Sequence, residues 1–205
     1  MQFLTDFADL AVAAPLALCV AAWLALFGWT RGTLLWLAAF AALMLTMLAL
    51  KLAVLGCAPA DSPLASPSGH TASATFVYGG IAILAVRPRL PAAALIALAF
   101  ATLFGTSRVA LHVHTLADVI VGGAAGATAL LAFAHAAPPP PTLKPGRMLA
   151  LCLAAAVLLH GLRLDMEPRL RGAAHFLTWS VCPTARPGAL PLDPVVRSTL
   201  SRDGA

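Results

Sequence analysis

Apolar residues recur in near-continuous runs, at about 10–29, 33–56, 70–86, 91–107, 115–136 and 148–163. Each run is close to the ~20 residues that a helix needs to cross a bilayer. None alternates with a period of two. In lipid, every backbone polar group must be paired within its own segment or within a closed barrel, so continuous runs predict helices. Polar and Pro-rich breaks separate them at Gly32, Pro59 to Pro67, Arg87-Pro88-Arg89-Leu90-Pro91, and Pro138 to Pro145. The pattern predicts an all-α integral membrane protein, a six-helix bundle over 1–163 followed by an extramembrane tail, 164–205. In that tail Leu170, Ala173, Ala174, Leu177 and Val181 form one helical stripe. This fits a short helix on the membrane surface or one packed on the ends of the bundle. Beyond Pro183 the composition predicts poor order.

Composition agrees. Of 205 residues, 60% are hydrophobic and 10% charged, against roughly 45–50% and about 25% in ordinary globular domains. About 123 apolar residues would fill about six crossings. A soluble enzyme and a disordered chain are excluded. The net charge of +5 comes from basic residues scattered singly at the ends of apolar runs. No patch exists to follow a phosphate backbone, so no nucleic-acid partner is expected. The N-terminal stretch to Asp9 carries no Lys or Arg, so the first run is expected to remain as an anchor rather than a cleaved leader.

Alternate loops differ in charge. Arg31, Arg87, Arg89, Lys144 and Arg147 fall on one side, and Asp6, Asp9, Asp61 and Asp118 on the other with Lys51 and Arg108. Cytoplasmic loops accumulate Lys and Arg, so the first side is expected in the cytoplasm. Both termini would then lie outside an inner membrane.

Ionisable residues are costly in a membrane and mark functional sites by default. Lys51, Ser68, His70, Arg108, His112, His114 and Asp118 all map to the expected outer face. In Pro67-Ser68-Gly69-His70, Ser68 can cap a helix whose free N–H groups and dipole suit an anion, and Gly69 permits close approach. His114 and Asp118 are four apart, a spacing at which a carboxylate can orient an imidazole nucleophile. Thr115-x-x-Asp118 also fits a simple helix cap. Lys51 alone would read as a snorkelling lysine; beside Arg108 and a helix N-terminus it becomes a phosphate clamp.

Together these residues resemble the type 2 phosphatidic acid phosphatase family, which is related in its core to vanadium haloperoxidases. That signature runs Lys-x6-Arg-Pro, Pro-Ser-Gly-His, then Ser-Arg-x5-His-x3-Asp. The second part stands complete at Pro67 to His70 and the third at Ser107, Arg108, His114 and Asp118. The first has Lys51 and Pro59 but Ala58 where the family has a phosphate-binding arginine. Arg163, at the end of the sixth run, is the expected substitute.

The resemblance implies a lipid phosphomonoesterase or pyrophosphatase that needs no metal or other cofactor. In it His114 is the nucleophile that forms a phosphohistidine, Asp118 its partner and His70 the general acid and then base. Lys51, Ser68, Gly69 and Arg108 hold phosphate oxygens, and Ser107 has an orienting role. The implied substrate is an envelope lipid phosphate, worked on from the periplasmic side of the inner membrane. Two competing readings take His70, His112, His114 and Asp118 as a metal site in a transporter, or the whole chain as a helical scaffold without chemistry. His112 and His114 could share a metal only if their stretch is loop, since residues two apart diverge on a helix. Gly122-x-x-x-Gly126 and Gly79-Gly80 are expected to let helices approach closely. Cys19 and Cys152 fall within spans, whereas Cys57 and Cys182 share the outer side, where a disulfide or two free thiols are equally compatible with the sequence.

Overall fold

A computed structural model describes residues 2–59, 62–139, 144–164 and 170–174. The chain forms α1 (Gln2–Phe7), α2 (Leu10–Leu26), α3 (Thr30–Cys57), α4 (Gly69–Val86), α5 (Leu90–Ala110), α6 (Leu116–Ala136) and α7 (Pro145–Leu159). Residues 170–174 add a short helical segment. Among the described residues all regular structure is helical.

All six apolar runs are helical, but the expected six full spans need correction. Four helices, α3 to α6, are long and apolar enough to cross a membrane. The apolar helices α2 and α7 have 17 and 15 residues, and at ~1.5 Å per residue both fall short of a ~30 Å hydrocarbon core. The sequence pattern also missed α1. Asp9 separates it from α2: its backbone is extended and its carboxylate caps α2 by accepting from Ala11 N–H at 2.8 Å.

α4 is the hub, touching α2, α3, α5, α6 and α7. Of its most apolar stretch 67% is buried, against 22% for α3. That position explains why α4 carries hydroxyls: Thr75 Oγ1 donates back to Thr71 C=O at 2.7 Å, and Tyr78 OH donates to Phe7 C=O at 2.7 Å. Leucines such as Leu26, Leu34 and Leu95 stay exposed on α2, α3 and α5. Trp36 ties the opposite half together. Its indole N–H donates to Ala17 C=O at 2.9 Å, and its ring meets Phe76 and Phe133 at 4.6 and 5.3 Å.

The small residues of α6 set its distance from α4. A Cβ at Gly122 would fall on the backbone oxygen of Ser68, and one at Gly126 would lie 2.5 Å from Ala72 O. Backbone cannot yield as a flexible side chain can, so Gly122→Ala is expected to push α6 away from the start of α4. Overpacking of this kind costs about 1–3 kcal/mol. A lowered thermal midpoint in detergent is the expected result.

The described part of the tail lies on the end of the bundle, with Ala174 only 2% exposed. The stripe positions Leu177 and Val181, and the stretch beyond Pro183, lie outside the described residues.

Candidate active site

The last turns of α3, the start of α4, the end of α5 and the start of α6 share one end of the bundle. The basic loop residues Arg31, Arg87, Arg89, Lys144 and Arg147 fall at the opposite helix ends. At the shared end is a cavity of about 510 Å³ whose wall includes Lys51, Gly69, His70, Arg108, His114 and Asp118. Four stretches of chain far apart in sequence thus deliver cations, imidazoles and a helix N-terminus to one space.

Asp118 organises it. Its side chain is 1% exposed. Oδ1 accepts from the N–H groups of Ala65 and Ser66 at 3.1 and 2.8 Å, and Oδ2 from Thr115 N–H at 3.0 Å. Thr115 Oγ1 accepts from Asp118 N–H at 3.1 Å, completing a capping box on α6. The Asp118 backbone C=O accepts from Ser68 N–H at 3.0 Å. The loop before α4 is therefore bound to the start of α6 through Asp118, and also through Thr115, whose Oγ1 donates to Pro63 C=O at 3.0 Å. Oδ2 of the same carboxylate lies 3.6 Å from His114 Nδ1. The capping and the imidazole-orienting readings of Asp118 describe one arrangement.

His114 sits in the loop ahead of α6 rather than on the helix, its side chain 9% exposed. Burial, reinforced by the charges of Arg108 and Lys51, lowers its imidazole from the ordinary 6.5 to about 4, against the opposing effect of Asp118. The ring is neutral at physiological pH, the protonation state of a nucleophile. On folding linkage, a lowered imidazole value means that the unfolded chain binds the proton first. This contribution to stability is full above about 6.5 and is lost as pH falls from there toward 4.

Lys51 Nζ donates to Ser66 Oγ at 2.8 Å, which aims the ammonium along the cavity wall. Ser68 is fully buried and accepts from Thr71 N–H and Thr71 Oγ1 at 3.3 and 2.9 Å. It serves as the α4 cap, whereas Ser66 and Ser73 are serines of the cavity wall. Gly69 and His70 follow the cap as the first residues of α4 and present that N-terminus to the space. Ser107 is also buried away from the wall, accepting from Thr5 Oγ1 at 3.2 Å and donating to Phe104 C=O at 2.7 Å, so it joins α1 to α5.

Asp9 was visible in the sequence only as one acid among several on the outer side. In the structure its Oδ2 lies 3.3 Å from His70 Nε2, and its Oδ1 accepts from Leu164 N–H at 3.0 Å. Burial alone would raise this carboxyl; the hydrogen bonds from His70 and from the N–H groups of Ala11 and Leu164 outweigh it and hold it below the usual carboxylate value. The available signal was an acid placed directly before an apolar run, the position of a helix cap.

Ala58 is exposed at the α3 C-cap and is not part of the cavity wall. Arg163, expected to replace its missing cation, is instead bound to Asp6: Nε donates to Oδ1 at 3.1 Å and Nη2 to Oδ2 at 3.2 Å. It too is absent from the wall. The stretch holding His112 is a turn, the condition for sharing a site with His114, yet His112 is exposed with φ +55° and stays outside the cavity. Among the described residues no three His, Cys, Asp or Glu side chains are grouped to hold a metal ion. Cys19 and Cys152 are free thiols, and Cys57 is disulfide-bonded. Cys182, considered from the sequence as its partner, lies outside the described residues.

Residues 55–139 match the family model described as the PAP2 superfamily. No curated protein and no solved structure matches the chain.

Proposed function

We propose that the chain, whose residues 55–139 match the PAP2 superfamily, a group whose members are generally phosphatases, is itself such a phosphatase and hydrolyses a phosphomonoester or diphosphate of a membrane lipid. The observation carrying this reading is the single cavity into which Lys51, the start of α4, Arg108 and the His114–Asp118 pair converge. In the proposed reaction the neutral His114 imidazole attacks phosphorus through Nε2, while Nδ1 faces Asp118 and shares its developing positive charge. The P–O bond to the lipid breaks, and His70 gives its proton to the departing oxygen. Water, deprotonated by His70, then cleaves the phosphohistidine, releasing inorganic phosphate and restoring both rings.

Lys51, Arg108 and the Gly69 N–H neutralise the three non-bridging oxygens. Fixed charge and position supply most of the catalysis available to phosphoryl transfer. Asp9 holds the His70 ring by Nε2, which leaves Nδ1 for proton transfer.

The apolar part of the substrate has a matching surface. Met44, Met47, Leu48 and Lys51 lie on one stripe of α3 and all line the cavity. An acyl or prenyl chain along this stripe would arrive sideways from the bilayer with its phosphate at Lys51. We place this face toward the periplasm of an inner membrane, because the Lys- and Arg-rich loops occupy the other end.

Phosphate release by the purified protein from a panel of lipid monophosphates and diphosphates tests the function. The reading expects turnover that survives EDTA and is blocked by orthovanadate, which adopts the five-coordinate geometry of phosphorus in the transition state. Strict metal dependence would overturn it. The lowered His114 value is open to separate measurement. With labelled histidine, the ring signals lost in His114→Ala are expected to titrate near 4 in the free protein; a midpoint near 6.5 would remove the neutral-nucleophile argument.

A further inference from the structure

One cation in the cavity wall comes from outside the segment 51–118. Arg171, on the short helical segment 170–174, lines the same space as Lys51, Arg108, His70 and His114, beside Leu164 and Leu170. We propose that Arg171 is a phosphate-binding and specificity-determining residue, its guanidinium providing the anion contact that Ala58 cannot make. This rests on the phosphatase reading above.

Three anchors place it there. The chain leaving α7 is held at Leu164, whose N–H donates to Asp9 Oδ1 at 3.0 Å, and Asp9 is the carboxylate that also meets His70. Just before it, Arg163 is joined to Asp6. Beyond Arg171, Ala174 is buried. One carboxylate, that of Asp9, thus meets both His70 and Leu164, and Leu164 shares the cavity wall with Arg171.

Chemistry favours an arginine at this point. A phosphomonoester dianion presents three oxygens, and a guanidinium offers a planar fork of N–H donors that can engage two of them at once. Asp118 lies on the floor of the cavity at 1% exposure, whereas Arg171 is exposed and stands at its mouth. From the mouth it meets the outer oxygens of a phosphoryl group, or the second phosphate of a diphosphate. Its contribution is therefore to substrate binding more than to the bond-breaking step.

The test uses the full chain in detergent micelles, with dioctanoyl phosphatidic acid as substrate and orthovanadate as inhibitor. Arg171→Ala and Arg171→Gln are each expected to raise KM and the vanadate inhibition constant in parallel, by about ten- to a hundredfold, with kcat within about threefold of the parent. Arg171→Lys, which keeps the charge, is expected to recover most of the vanadate affinity. A purely structural tail would give equal losses with Lys and Gln, and that result overturns the proposal. So does an unchanged vanadate constant in Arg171→Gln. Failure of the underlying phosphatase reading looks different: the parent would release no phosphate from any lipid phosphate, or His114→Ala would still release it.

Discussion

Phosphate release is expected to fall by about four orders of magnitude or more in His114→Ala, with the protein still folded and still able to bind vanadate weakly. Removal of a covalent nucleophile has effects of this size because the remaining groups can only position substrate and stabilise charge. His114 is well suited to the role. It stands in a loop, so its ring is not constrained to a helix face, and one nitrogen is directed at Asp118. Burial and the neighbouring Arg108 and Lys51 keep it unprotonated to about pH 4. Those cations disfavour an imidazolium, and in the proposed reaction the same two charges neutralise the phosphate dianion. The measurement is single-turnover phosphate release, together with trapping of an acid-labile, base-stable phosphoprotein in the parent. Turnover in His114→Ala within a hundredfold of the parent would exclude the nucleophile assignment.

Asp118→Ala is expected to lose both activity and stability. Its carboxylate accepts three N–H groups, from Ala65, Ser66 and Thr115. Buried donors left without an acceptor cost about 1–3 kcal/mol each, and a lost helix cap costs about 0.5–2 kcal/mol. The loop that carries Ser66, and through it Lys51, would lose its two N–H bonds to the side chain at 118 and be held to α6 only by the backbone bond from Ser68 N–H and by Thr115 Oγ1 on Pro63 C=O. Asp118→Asn keeps the shape but turns an N–H₂ toward donors, so it recovers only part of the stability. Both variants are expected to lower kcat by about 10²- to 10⁴-fold, the range found when the orienting carboxylate of a catalytic histidine is changed. In the double variant His114→Ala/Asp118→Ala, turnover is expected to match His114→Ala alone, because two groups acting as a unit are not additive. Additive losses would show that Asp118 acts through the fold without acting through His114. A lowered thermal midpoint in Asp118→Ala, partly recovered in Asp118→Asn, separates the stability effect from the catalytic one.

Local chemistry was legible in the chain where the rules act over a few residues. The helices follow from runs that lipid forces to satisfy their own backbone, and Thr115 and Asp118 form the capping box their spacing allows. Full length was less legible: a run of apolar residues does not reveal where a helix breaks, and α2 stops at Leu26 because Gly28, at φ +73°, leaves the helix. Ser68 shows a different limit. The same residue type at the same place fits a phosphate ligand or a cap, and only burial distinguishes them; its hydroxyl faces Thr71. Arg163 was plausible by position along the chain, and the nearby carboxylate of Asp6 claims it.

The sequence by itself determined that this chain forms apolar helices, four of which prove in the structure long enough to cross a membrane, and that a lysine, an arginine, two histidines and an aspartate belong to one end of them. Tertiary structure decided which groups meet across the chain: Asp9 with His70, Leu164 with Asp9, and Arg171 with the cavity. The physical reason is reach. Capping and helix periodicity act within about one turn, whereas these contacts depend on how closely α6 approaches α4 at Gly122 and Gly126 and on where the segment after α7 folds back.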